Sequence, residues 1–179
     1  MPSVLLTEAN AIQSPGGDLE AIFRVHYARI AGIIARVTHD RARAEELAVE
    51  VFLKWQKNSG GIANLEAWLH RTAVRISLDE LRRQQRRRRY EDMTAFIFHR
   101  RQPTPEELHS ASQDHARVRA VLLAIGARNA EMLLLRSQGS TYAEVASILD
   151  LNPSSIGTLI SRASQAFKKE YIKRHGTTE

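Results

Sequence analysis

The chain contains no cysteine. This excludes disulfides, thiolate metal sites and a cysteine nucleophile, and it fits a reducing cytoplasm. No stretch approaches the ~20 consecutive apolar residues that a spanning helix needs, so no membrane insertion is expected. The N-terminal segment MPSVLLTEANAIQSPGGD has neither a basic start nor a long apolar run, so it does not read as a signal peptide. Seven histidines are scattered (His26, His39, His70, His99, His109, His115 and His175), none of them in a His-x-x-x-His pair or beside a carboxylate at metal-ligand spacing. A Gly-x-x-x-x-Gly-Lys phosphate loop and a Gly-x-Ser-x-Gly nucleophile turn are both missing. The expectation is a non-enzyme with no catalytic residue, metal, cofactor or small-molecule substrate. Strand patterning is also too weak for a sheet.

What is present is helix pattern and one concentration of charge. Hydrophobic residues make up 43% of 179, ordinary for a folded chain of one domain or two small ones. Six arginines (Arg82, Arg83, Arg86, Arg87, Arg88 and Arg89) fall within eight residues. Without them the chain is balanced, 20 basic residues against 20 acidic, so the net charge of +6 is this run. A run of that density points to a polyanion such as nucleic acid phosphate rather than to a merely solvated linker.

In chain order, residues 1–17 read as a loose arm. Asp18, Asp40 and Asn64 stand as N-caps before three amphipathic stretches, with apolar stripes through Ile30 and Ile34, through Leu47, Val51 and Trp55, and through Leu69, Ala73 and Ile76. The second stretch carries Glu45, Glu46 and Glu50 outside. Residues 18–90 are thus an N-terminal three-helix bundle. Residues 91–113, with Pro103 and Pro105, read as a flexible linker, extended around the prolines; Met93, Phe96, Ile97 and Phe98 are expected to pack on one of the flanking domains. Residues 114–175 read as a four-helix domain. The fold class is therefore all-α: two small helical domains joined by a flexible linker.

The most informative stretch is Ser140 to Lys169. Thr141 and Glu144 form a Thr-x-x-Glu capping box that starts a helix at Tyr142. After two turns, Asn152 and Pro153 signal a second start, at N-cap and first helical position. That second helix buries Ile156, Leu159, Ile160, Ala163 and Phe167 and leaves Ser154, Ser155, Thr158, Ser161, Arg162 and Gln165 outside. Two short helices with a polar, basic outer face on the second form the helix-turn-helix pattern.

Three segments resemble the extracytoplasmic-function (ECF) sigma factors of the main bacterial sigma family. DRARAEELAVEVFLKW (Asp40 to Trp55) resembles the family's D-x-x-x-A-E-D-L-x-Q-E-V-F-x-x-x-W. AWLHRTAVRISLDELRR (Ala67 to Arg83) is similar to A-W-L-x-R-I-A-x-N-x-x-x-D-x-x-R-R. LLLRSQGSTYAEVASILDLNPSSIGTLISRA (Leu133 to Ala163) resembles its second-domain block. The resemblance implies a protein that binds core RNA polymerase and directs it to promoters, with an anti-sigma factor as a further partner. Asp40, Glu45, Glu46, Leu47, Glu50, Val51 and Phe52 would meet the polymerase. Trp68, Arg71, Thr72, Arg75, Asp79, Arg82, Arg83, Arg86 and Arg87 would handle the −10 element, although Trp68 by itself reads as a core residue. Thr141, Pro153, Ser154, Ser155, Thr158, Ser161 and Arg162 would meet the −35 element, and the linker would thread near the RNA exit path. Arg75 stands where the family usually has asparagine, Val49 where it has glutamine, and Gly157 and Leu159 where it has basic residues, which implies an altered promoter readout. A stand-alone helix-turn-helix regulator is the alternative; it leaves the first two segments without a role.

Overall fold

The computed structural model describes residues 19–58, 62–98 and 110–176, all in helices and their connections, with no strand among them. Three helices form the first unit: α1 (Leu19–Thr38), α2 (Arg41–Lys57) and α3 (Leu65–Phe98). Four form the second: α4 (Ser110–Ala124), α5 (Ala127–Ser137), α6 (Tyr142–Leu149) and α7 (Ile156–His175). The starts follow the capping chemistry. The Asp40 carboxylate accepts the Arg43 N–H at 2.9 Å, and the Asn64 side-chain oxygen accepts that of Ala67 at 3.0 Å. The cap expected at Asp18 and the loose arm before it lie outside the described residues.

The three-helix unit buries the expected stripes. Ile30, Ile34, Val51, Phe52, Leu69 and Ala73 are all sealed from solvent. The α1–α2 turn is short because His39 takes a left-handed backbone (φ 55) and donates its N–H to the Ala35 carbonyl, closing α1. In the second unit Leu135, Val145, Ile156, Ile160 and Ala163 form the core, and Gly126 (φ 87) and Gly139 (φ 90) make the turns on either side of α5.

Two boundaries differ from the sequence expectation. The helix expected to end by Tyr90 continues to Phe98, and the next begins at Ser110, so both ends of the 91–113 stretch are helical. Arginine is a good helix former, and an Arg87–Glu91 pair at 2.7 Å carries the helix across the expected boundary. Pro103 and Pro105 lie outside the described residues. Met93, expected to pack on a domain, is exposed; the Phe96–Phe98 side chains are outside the description. In the second unit, α7 begins at Ile156 rather than Pro153. The Asn152 side chain does cap, but it caps a turn: its oxygen accepts from the Ser154 N–H at 3.0 Å and the Ser154 hydroxyl at 2.9 Å, while the Ser155 N–H bonds the Asn152 carbonyl.

The two units are packed together. The buried apolar cluster runs without a break from the first into the second, and α3 touches α4, α5 and α6 as well as α1 and α2. Two histidine sites mark this seam. His39 stacks on His115 of α4 with ring centroids 4.0 Å apart, beside Asp40, Arg88 and Arg119. His70 of α3 is buried, with its Nε2 unbonded and only 4.0 Å from a Glu66 oxygen; Arg29, His26 and Glu144 also act on it. Burial lowers the pKa of both, with the His115 and Arg119 charges adding to it at His39 and the Arg29 charge at His70. A histidine whose folded pKa lies below its unfolded value of 6.5 takes up protons more readily when the chain unfolds. The stability it contributes is full above that pH and is lost as pH falls below it. The thermal midpoint should therefore drop between about pH 7 and about pH 5, and His70→Gln should reduce the drop measured by circular dichroism.

Candidate nucleic-acid and polymerase interface

Four surfaces carry the residues singled out in the sequence. The first is the outer face of α2. Glu45 and Glu50 are exposed and make only exposed pairs, with Arg41 at 3.2 Å and with Lys54 at 3.0 Å, worth little to the fold. Glu46 is engaged differently. Arg43 bonds Glu46 at 2.6 Å and the buried Glu80 of α3 at 3.0 Å, clamping α2 to α3, and both bonds raise the Arg43 pKa. Leu47, Val51 and Phe52 are core residues and present nothing to a partner. Asp40 is the N-cap of α2. Exposed Val49 and Leu53 add apolar area beside the glutamates.

The second surface is the first half of α3. Trp68, Arg71, Thr72, Arg75 and Asp79 recur at helical spacing and share one side. Trp68 packs partly into the core, as its residue type indicates. Arg71 and Thr72 are half-buried, and the Arg71 Nε is buried without a partner. Arg75 reaches across the seam to Glu131 of α5, Nε to Oε1 at 3.1 Å. Asp79 pairs with Arg82 at 2.6 Å.

The arginine run on the second half of α3 is the third surface. Arg87 is paired with Glu91. Arg83, Arg86, Arg88 and Arg89 are exposed and have no ion pair among the described residues. Arg88 faces α4, where its charge and, more strongly, burial lower the pKa of Arg119. Unneutralised guanidinium groups on a solvated helix suit phosphate contact.

The helix-turn-helix of α6 and α7 is the fourth. The capping box of α6 is complete: the Thr141 hydroxyl accepts the Glu144 N–H at 3.2 Å, and the Glu144 carboxylate accepts the Thr141 N–H at 2.6 Å. The second of these bonds holds the Glu144 pKa below its ordinary value. Asp150 closes α6 in the left-handed region (φ 54). The Arg136 guanidinium donates to the Ser140 carbonyl and lies 4.9 Å from the Tyr142 ring centroid, fixing the α5–α6 turn. On α7, Ile156, Ile160 and Ala163 face inward, while Thr158, Ser161 and Arg162 are exposed; just before it, Ser154 is exposed and Ser155 half-exposed. Pro153 is exposed in the preceding turn. A side chain at Gly157 would point at the Tyr142 ring, 3.7 Å from the nearest carbon.

Sequence reasoning missed Glu80, Glu131 and Arg43. The first two were visible in principle. Glu80 continues the α3 stripe of Leu69, Ala73 and Ile76, and Glu131 falls between Ala130 and Leu134–Leu135 on the buried side of α5. A carboxylate on an apolar stripe signals a buried, paired acid. The partners, 37 and 56 residues away, were not visible.

The arrangement defines a class: a two-part helical protein with a basic helix in one half and a helix-turn-helix in the other. The sigma-70 region 2 family model matches residues 22–87, which are most of α1 to α3. The SigE ECF RNA polymerase sigma factor of Mycolicibacterium smegmatis is 24% identical over 179 residues, covering 95% of this chain and 67% of its own. The RNA polymerase sigma factor YlaC of Bacillus subtilis is 26% identical over 165 residues (87% and 93%), and the ferric citrate uptake sigma factor FecI of Escherichia coli 24% over 158 (85% and 91%). Among solved structures, the sigma factor RpoE of Bartonella quintana, crystallised with the anti-sigma factor NepR, aligns with a TM-score of 0.46 and 20% identity over 86% of this chain and 96% of that one. Residues 22–87 thus match sigma-70 region 2, and the chain is similar over most of its length to RNA polymerase sigma factors, one of them of the ECF group.

The Thr141 hydroxyl, on an exposed residue, accepts within the capping box. Thr141→Ala should lower unfolding stability by about 1 kcal/mol, the usual cost of a lost threonine cap, and Thr141→Ser should restore it in a denaturant titration.

Proposed function

We propose that residues 18–90, which take in α1, α2 and most of α3, grip core RNA polymerase and handle the −10 element, and that residues 114–175, most of α4 with α5–α7, read the −35 element. One observation supports this division above others. The chain that matches sigma-70 region 2 over residues 22–87 also ends in a helix-turn-helix whose second helix buries its apolar stripe and exposes Thr158, Ser161 and Arg162. Such a helix can lie in a major groove with its hydroxyls and guanidinium toward the DNA. Short side chains at Ser154, Ser155 and Gly157 leave few long donors for base edges, so −35 readout leans on backbone contacts and DNA shape. On α3, Arg71, Arg75 and the arginine run supply cations for the −10 strand. Family resemblance extends the proposal to an anti-sigma partner. No described helix is long and apolar enough to cross a membrane, and we place the protein in the cytoplasm as a non-catalytic regulator.

On α2, Glu45 and Glu50 are the acidic residues free to meet a basic partner without loosening the fold. The variant Glu45→Lys/Glu50→Lys should bind core polymerase about tenfold more weakly in fluorescence anisotropy, with an unchanged thermal midpoint. Unchanged affinity at low salt would remove α2 from the polymerase interface.

Replacing Arg83, Arg86 and Arg89 with glutamine should flatten the salt dependence of promoter binding by holoenzyme. Each lost phosphate contact lowers the log–log slope by roughly 0.7 to 0.9. A slope equal to that of the wild type would make the run a solubilising surface.

A further inference from the structure

The arginine run does not all face one way. Leu81, Gln84, Gln85 and Arg88 recur at helical spacing and line one side of α3. Opposite them, Ala116, Arg119, Ala120 and Leu123 recur in the same way on α4. Ala116 and Ala120 are too small to fill the space between the two stripes. A cleft of about 160 Å³ remains, walled by Leu81 and Leu123, with Gln84 and Gln85 beside it. A wider notch of about 470 Å³ shares Gln84, Arg88 and Arg119 with the cleft. The α1–α2 turn adds His39 and Asp40 to this notch, and α4 adds His115. Its volume is within the range of small-molecule sites.

Charge in the notch is unbalanced. Arg88 and Arg119 have no ion pair among the described residues. His39 and His115 add two imidazoles, stacked with ring centroids 4.0 Å apart. The one carboxylate, Asp40, already accepts the Arg43 N–H at 2.9 Å as the cap of α2. Burial lowers the pKa of Arg119, and the Arg88 charge lowers it further. At His39 burial acts first, then the charges of His115 and Arg119. Cations that oppose one another in this way gain from an anion placed among them.

We propose that notch and cleft together form a binding site for a nucleoside di- or triphosphate, its phosphates among Arg88, Arg119, His39 and His115 and its base between Leu81 and Leu123. Guanidinium groups and protonated imidazoles donate well to phosphate oxygens. A flat base suits a narrow apolar cleft with amides at its wall, because an amide matches both the donors and the acceptors on a base edge. Nucleic acid offers the same oxyanions, but a cleft of this size between two helices takes a single base. The site goes beyond promoter recognition and calls on neither polymerase nor DNA.

Isothermal titration calorimetry on the full-length chain at fixed ionic strength tests it, with ATP, GTP and inorganic triphosphate as probes. At least one nucleotide should bind at a single site, about tenfold more tightly than inorganic triphosphate, since burial of the base adds to the phosphate contacts. Arg119→Gln should weaken nucleotide binding about tenfold, the usual worth of a charge-assisted contact. Ala116→Leu, which fills the cleft, should remove the nucleotide's advantage and leave inorganic triphosphate bound as in the wild type. Lys168→Gln removes one positive charge from an exposed position on α7 and should leave binding unchanged. No saturable binding of either nucleotide, or an equal loss in Arg119→Gln and Lys168→Gln, overturns the site. Inorganic triphosphate binding as tightly as both nucleotides overturns the base cleft, and with it the nucleotide as ligand. A single-stranded oligonucleotide that binds more tightly than either nucleotide and loses as much in Arg119→Gln overturns the free nucleotide as occupant and makes the notch part of the nucleic-acid surface.

Discussion

Packing of one helix from two sides is the constraint on which the rest of this structure depends. The first half of α3 has α1 and α2 against one face and α5 and α6 against another. Ala73, Val74 and Ser77 are consequently sealed from solvent, and the Ser77 hydroxyl has to satisfy itself on the Ala73 carbonyl, at 2.7 Å. Small residues at 73 and 77 let neighbours approach closely. Further along, the same helix leaves its packed environment and becomes an exposed arginine-rich rod. One continuous helix thus joins the core to a cationic surface and fixes the direction of the arginines relative to both halves.

Charge is divided by the same geometry. Where α3 is packed, two arginines meet buried acids: Arg43 of α2 holds Glu80, and Arg75 holds Glu131 of α5. Such pairs contribute little net stability against well-packed apolar residues, but they fix which surfaces can meet, because an unmatched partner is penalised. Where α3 is exposed, Arg83, Arg86 and Arg89 have no acidic partner among the described residues. The paired charges specify how the chain assembles, and the unpaired ones are left for a polyanion. Sigma-factor function needs both: a defined scaffold for polymerase and a surface that accepts DNA.

Much of this could be read from residues in order. Asp40, Asn64 and the Thr141–Glu144 box fixed three helix starts because capping is local, a matter of one side chain and an amide three residues on. The inward stripe of α7 followed from spacing alone, and so did its exposed hydroxyl face. The helix-turn-helix was the clearest part of the candidate site for the same reason. What could not be read was non-local. The extension of α3 past Tyr90 depends on Arg87 pairing with Glu91 and on helix propensity that outweighs the change in composition. The late start of α7 depends on Asn152 capping a turn rather than a helix, and both use the same side-chain oxygen. The engagement of Arg75, and the sharing of Arg43 between Glu46 and the buried Glu80, depend on which helices meet, which periodicity does not encode.

The central claim is that this chain gives core RNA polymerase its choice of start site. The direct measurement adds the purified protein to core polymerase from the cells that encode it, with fragmented genomic DNA as template, and maps the 5′ ends of the transcripts. The account predicts a discrete set of ends that requires the protein, lying downstream of a shared pair of upstream sequence elements at a fixed spacing. The same ends with and without the protein would contradict it.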